Sequence, residues 1–324
     1  MLNGILNVKK EAGMTSHDVV AIVRHLAHQK RVGHTGTLDP LVTGVLPICL
    51  GKATRLSELI SSQGKCYEGE MTLGYETDTG DRSGEVTRRA AVPPLRESQI
   101  REIFSQFTGS LLQTPPMVSA VKVKGKRLYA YAREGIEIER KAREITIHSL
   151  ELLARSGNKI RFRCACSKGT YIRQLVMDMG KAFQSAATMT DLVRLQVGPF
   201  HIEDAISILT LKKGTFEELT SFLLPMDVPC QNLAALRVGS REGHLLRNGV
   251  TLYPQQWREF AGDDLEPTIL RGDLLRVYDT LGFIGLGKYL AEADGFKMEK
   301  VLTDTEAGSL SKGKEGGEDT NAKN

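Results

Sequence analysis

Gly33-His34-Thr35-Gly36-Thr37-Leu38-Asp39-Pro40, continued by Leu41-Val42-Thr43-Gly44-Val45-Leu46-Pro47, sets one carboxylate among glycines, prolines and apolar side chains. Pro40 biases Asp39 away from helical geometry, toward an extended or turn conformation. Gly33, Gly36 and Gly44 allow close backbone approaches that other residues do not. The segment therefore reads as a shaped loop presenting a single acid. A nucleophile or general base needs such a setting, because it must be positioned and partly shielded from water. An aspartate that only makes a turn or caps a helix leaves the same local signature, so the rest of the chain has to decide.

Composition sets the outer bounds. With 324 residues, 41% hydrophobic and 25% charged, the chain can form one large domain plus a small one. No apolar run approaches the roughly 18 residues that would cross a bilayer. The stretch from Met1 to Lys10 lacks the order of a signal peptide and reads as a first strand. A cytoplasmic location without membrane association is expected. Cys49, Cys66, Cys164, Cys166 and Cys230 are odd in number and show no CxxC spacing, and no HExxH appears. Reduced thiols and no metal ligand are expected. The net charge of +4 says little, but eight basic residues between Lys122 and Arg143 face only Glu134, Glu137 and Glu139. They are Lys122, Lys124, Lys126, Arg127, Arg133, Arg140, Lys141 and Arg143, with Tyr129 and Tyr131 interleaved. Cations for phosphates and rings for bases make an RNA footprint; a solvated helix face has the same composition.

Thr15-Ser16 ahead of Val19, Val20, Val23 and Leu26 predicts a capped amphipathic helix. An apolar stretch around Leu46 to Leu50 and the alternation Tyr67, Gly69, Met71, Leu73 predict strands. Ser98 is expected to open a second helix that Gly109 ends. Glu144 to Leu150 and Ile160 to Cys166 read as strands, with a helix starting near Thr170. Arg173 then falls in the first helical turn, where the macrodipole disfavours a cation by roughly 0.3–1 kcal/mol. A cation placed there points to a partner elsewhere, although Asp178 or solvent would also serve. Beyond a loose segment at Pro225 to Gln231, short strands at 236–238, 250–253, 274–278 and 283–290 are punctuated by turns. From about Thr303 almost nothing is apolar, so residues 303–324 are expected to be a disordered tail. Intermixed strands and helices without strict alternation indicate an α+β class with a large mixed or antiparallel central sheet flanked by helices.

The run from Gly33 to Pro47 closely resembles the catalytic motif of the tRNA pseudouridine-55 synthases, the TruB family, with Val42 where alanine is usual. Cys166-Ser167-Lys168-Gly169-Thr170-Tyr171-Ile172-Arg173-Gln174-Leu175 and Lys65-Cys66-Tyr67 resemble two further motifs of that family. The resemblance implies the pseudouridine synthase fold and a tRNA T-arm substrate, with isomerisation of uridine at position 55. It makes Asp39 the catalytic acid, paired with Arg173. Tyr67, Arg173, His34, Leu192, Tyr171 and Lys10 become substrate-binding residues. Tyr67 would stack on the flipped base, and His34 would fill the space that base leaves. Beside Lys10, Glu11 replaces the proline of the family's Lys-Pro element. The basic segment resembles the family's thumb, an RNA-binding insertion at about 113–143. Thr77-Asp78-Thr79-Gly80-Asp81 also matches and shapes a loop near the RNA. The resulting organisation is a catalytic domain at 1–230 and a small C-terminal β-barrel, a PUA-like RNA-binding module, at 231–302. A monomer is expected.

Isomerisation breaks N1–C1′ and reattaches uracil through C5. It requires no metal, redox change or cofactor, and none is expected. One carboxylate suffices if an arginine offsets the effect of burial on its charge. Three routes fit a single acid: addition at uracil C6, attack at C1′, or abstraction of the sugar 2′ proton to give a glycal. Three other readings compete: the same chemistry on another RNA, a tRNA-folding chaperone, and a carboxylate hydrolase. The hydrolase would want a second acid placed for proton transfer, and the motif offers one.

Overall fold

Thr15 caps the first helix as its sequence predicts. Its hydroxyl accepts from the Asp18 N–H at 3.1 Å, and the Asp18 carboxylate accepts from the Thr15 N–H at 2.7 Å. That helix, α1 (Ser16–Leu26), follows β1 (Gly4–Lys10) and buries Val19, Val20 and Val23. The computed structural model describes residues 1–303 apart from Ala120 and Lys124. Lys124 and the part of the expected tail after Thr303 therefore lie outside the described residues.

The chain continues through β2 (Val32–His34), β3 (Thr43–Leu50), α2 (Ser57–Ser62), β4 (Lys65–Leu73) and the hairpin β5 (Tyr75–Thr77) and β6 (Val86–Arg89). Next come α3 (Glu97–Gln106), β7 (Gly109–Gln113), β8 (Lys122–Val123), β9 (Lys126–Arg127) and α4 (Leu128–Arg133). The unit closes through β10 (Arg143–Ser156), β11 (Lys159–Cys166), α5 (Ile172–Ala182), β12 (Ala187–Val197), β13 (Phe200–His201), β14 (Ile206–Ser207), α6 (Ile208–Lys213) and α7 (Phe216–Ser221). A ten-stranded sheet runs β14-β1-β3-β12-β4-β11-β10-β7, with β2 joined to β3 and β13 to β12. The β1–β14 and β3–β12 pairs are parallel and the others antiparallel. The sheet is therefore mixed, in the α+β class. Met1–Asn232 form this first compact unit.

Local differences from the sequence reading have local causes. Ser98 does not open α3; Arg96 precedes the helix, and its N–H donates to Gln99 Oε1 at 2.7 Å. Gly109 starts β7 rather than simply ending α3. At the β3–β12 junction Gly44 has φ +105°, and a Cβ there would lie 2.2 Å from the Arg194 carbonyl oxygen. Only glycine allows the two strands to meet so closely.

The second unit, from Leu233 onward, holds a sheet ordered β15 (Ala235–Arg237), β16 (Leu275–Asp279), β17 (Gly282–Leu290) and β18 (Gly295–Val301). Two helices, α8 (Ser240–Arg247) and α9 (Pro254–Leu270), pack Leu246 and Trp257 with Leu236, Val277 and Phe296. The sequence reading had only strands here. The stretch 250–253 is not a strand: Leu252 makes one isolated bridge to Phe296, and Tyr253 caps α9. Gly262 interrupts α9 and Pro267 lies within it, which hides its helical period. Among the described residues no helix is long and apolar enough to cross a membrane.

Lys10, at the end of β1, is fully buried, and its ammonium donates to the carbonyls of Glu11, Met14 and Pro40 at 2.9, 2.7 and 3.2 Å. Burial lowers its pKa to about 8. Replacing Lys10 with Met strands these carbonyls, so a loss of about 1–3 kcal/mol or more is expected. Urea unfolding should show it as a lower midpoint with an unchanged slope.

Candidate active site

Asp39 occupies the loop between β2 and β3, and Arg173 the first turn of α5, far apart in sequence. The fold brings Arg173 Nε to 2.8 Å from Asp39 Oδ2. The remaining guanidinium nitrogens are also engaged, Nη1 with the Thr79 carbonyl at 2.7 Å and Nη2 with the Val118 carbonyl at 2.8 Å. The arginine side chain is 5% exposed and the Asp39 side chain 38%. The cation is thus enclosed, while the carboxylate opens into a cleft. Pro40 is exposed and Leu41 only half-buried, so the acid is less enclosed than its apolar neighbours suggest. Asp178 instead binds Gln174 and Lys181.

The cleft has a volume of about 590 Å³, and Asp39, Tyr67, Tyr171, Arg173, Leu192 and Arg143 all line it. Tyr67 reaches it from β4, where the predicted alternation holds, and is 8% exposed. Burial raises its phenol pKa, and a hydrogen bond from Arg194 opposes that rise. Tyr171 precedes α5, and its N–H donates to Gln113 Oε1 at 2.8 Å. Val42, the departure from the family pattern, is buried in the cleft wall. Lys10 lies beneath the loop and does not line the cleft; its contact is with the Pro40 carbonyl beside Asp39.

His34, in β2, packs edge-on against His17 with ring centroids 5.3 Å apart. Its Nδ1 accepts from the Gly36 N–H at 3.3 Å. Burial, with the nearby charges of His17, Arg194 and Arg127, lowers its pKa to about 4. The ring is therefore neutral at physiological pH, a state suited to stacking.

The basic segment divides into distinct environments. Lys126 pairs with Glu134 at 2.5 Å and lies over the Tyr131 ring, and Arg140 pairs with Glu137. Arg127, Tyr129 and Arg133 line a second cavity of about 800 Å³ that also reaches Asp39 and His17. Lys122 and Lys141 are exposed.

Sequence reasoning gave three charged residues here no individual role at the site. Asp81 Oδ2 stands 3.9 Å from Arg173 Nε and is a second acid near the site. Its other oxygen accepts from Thr79 and Ser83, which makes it a brace for the 77–83 loop rather than a free acid. Lys65 and Arg194 also line the cleft. Arg194 shares the inward face of β12 with Leu192, and a charge in that alternation was the available signal.

Comparison with known proteins places this arrangement. Residues 24–172 match the TruB family pseudouridylate synthase (N terminal domain), and residues 173–231 match the tRNA pseudouridylate synthase B C-terminal domain. Proteins named tRNA pseudouridine synthase B from Clostridium perfringens and Halalkalibacterium halodurans are 43% and 44% identical to the chain. Each covers 93% of it, over 99% and 98% of their own lengths respectively. A Cbf5-Nop10-Gar1 complex contains a chain of similar structure, with TM-score 0.70 and 27% identity, covering 93% of this chain and 85% of that one. The fold is that of a pseudouridylate synthase. The chain belongs to the TruB family.

The low His34 pKa has a measurable consequence. An unfolded histidine binds its proton near pH 6.5, whereas folded His34 does so near 4. Between these values the unfolded state binds more protons, so stability falls as pH drops from about 6.5 to about 4. His34→Gln should flatten that part of the urea-midpoint profile; an unchanged slope would reject the assignment.

Proposed function

We propose that the chain isomerises uridine to pseudouridine in tRNA, at position 55 of the T-loop, with Asp39 as the catalytic carboxylate. The observation that carries the reading is the Asp39–Arg173 pair, enclosed on the arginine side and open on the aspartate side, with Tyr67 on the same cleft. Family membership and the names of the relatives support tRNA as the substrate class.

A stacked uridine must leave the T-loop to reach Asp39, at a cost of a few kcal/mol. Tyr67 and Leu192 receive the base on the cleft walls, and Tyr171 borders the same space. His34, neutral and stackable, fills the vacated position. Arg173 holds one Asp39 oxygen and leaves the carboxylate facing the ribose or the ring. Arg127 and Arg133 contact phosphates under the thumb, with Lys122, Lys141 and Arg143 at its margins. Lys126 and Arg140 keep the thumb in shape through Glu134 and Glu137. The unit beyond residue 232 serves as a PUA-like RNA-binding module, and the enzyme acts as a monomer. Opening the T-arm during each binding event also lets the protein help misfolded tRNA refold.

Position-resolved pseudouridine mapping tests the substrate. An isolated T-arm stem-loop should be converted at its target uridine, at a rate close to that of full-length tRNA. An anticodon stem-loop of equal length should stay unmodified. Conversion of the anticodon arm at a similar rate, or none of the T-arm, would reject the T-loop assignment.

A further inference from the structure

Arg194 is a buried cation on the cleft that the proposed mechanism leaves unused. It is 1% exposed, on the inward face of β12. Its Nε donates to the Val45 carbonyl at 2.7 Å and its Nη2 to the Gly36 carbonyl at 3.2 Å. It also hydrogen-bonds the Tyr67 phenol and lines the cleft. All these partners are neutral, and no carboxylate pairs with it among the described residues. Arg173 differs, because Asp39 balances it.

Lys65 repeats the pattern on the same cleft. Its ammonium donates to the carbonyls of Ser61 and Gln63 at 2.6 and 2.8 Å. Burial and the neighbouring charge of Arg194 lower its pKa to about 8. Two like charges set into one cleft wall, neither paired with a carboxylate, are costly in the empty protein. An anion arriving in the cleft offsets that cost.

The reaction itself generates such an anion. Each of the three routes open to Asp39 puts an electron pair on the uracil ring. When N1–C1′ breaks, the bonding pair stays with the ring, spread over N1, O2 and O4. The ring turns and the pair forms C5–C1′ while Asp39 leaves C1′, leaves C6 or returns the 2′ proton, according to the route; C5 then loses its proton and N1 gains one, so atoms and electrons balance.

We propose that Arg194 stabilises, from within the cleft wall, the negative charge developing on the detached uracil, with Lys65 adding to the same field. A preorganised donor in a water-poor site acts most strongly where charge appears only in the transition state. Through Tyr67, Arg194 also holds one wall of the ring's site in place.

The inference rests on the reading that the target uridine enters the Asp39 cleft, and the test separates the two. T-arm stem-loops carrying uridine or 5-fluorouridine at the target are compared in single-turnover reactions, scoring loss of the N1–C1′ linkage. Fluorine makes the ring more acidic, so its anion needs less help. Arg194→Gln should slow the uridine substrate by about 10²–10³-fold. The deficit for 5-fluorouridine should be about ten-fold smaller, as expected for a better leaving group. Stem-loop affinity should be unchanged, and Arg194→Lys should recover part of the rate. Equal slowing of both substrates, or a loss confined to binding, would overturn the assignment. If Arg194→Gln does not fold, Arg194→Lys is judged by the same substrate difference. A wild-type protein that converts neither stem-loop would defeat the underlying reading instead.

Discussion

One guanidinium organises the catalytic end of this protein. Arg173 gathers Asp39 from the β2–β3 loop, Thr79 and Asp81 from the loop after β5, and Val118 from the start of the thumb. A single planar group with fixed donor directions holds these separate backbone segments at defined angles. The helix N-terminus that carries it is electrostatically unfavourable for a cation. The carboxylates of Asp39 and Asp81 supply the counter-charge, so the loops need the arginine as much as it needs them.

Around the two cavities, three kinds of positive charge stand out. Arg173 is paired and structural to the acid. Lys126 and Arg140 are tied to glutamates within the basic segment, whereas Arg127 and Arg133 face a cavity. Arg194 is buried and Lys65 half-buried, each hydrogen-bonded to neutral partners on the cleft. Net charge does not distinguish these; the last kind faces the cleft with charge to offer a transient anion.

Much of this was legible in the sequence where the cause was local. Thr15 and Asp18 form a cap within four residues, and β4 alternates because one of its faces is buried. The need of Arg173 for a distant partner followed from its place at a helix start. Family resemblance supplied the cleft residues together, and the fold gathers Asp39, Tyr67, Tyr171, Arg173 and Leu192 on one cavity. Long-range pairing hid the rest. Arg194 meets Tyr67 and Gly44 only because β12 lies between β3 and β4 in that register. Lys10 was legible as a residue but not as a buried brace. In the second unit, Gly262 and Pro267 masked a helix that tertiary packing around Trp257 stabilises.

The central claim is that the Asp39 carboxylate, held by Arg173, carries the chemistry. Tritium release from tRNA containing [5-³H]uridine tests it most directly, because isomerisation displaces the C5 hydrogen. The account predicts release by the wild-type protein and none by Asp39→Asn, with both binding the tRNA equally. Release by Asp39→Asn at a rate comparable to wild type would contradict it.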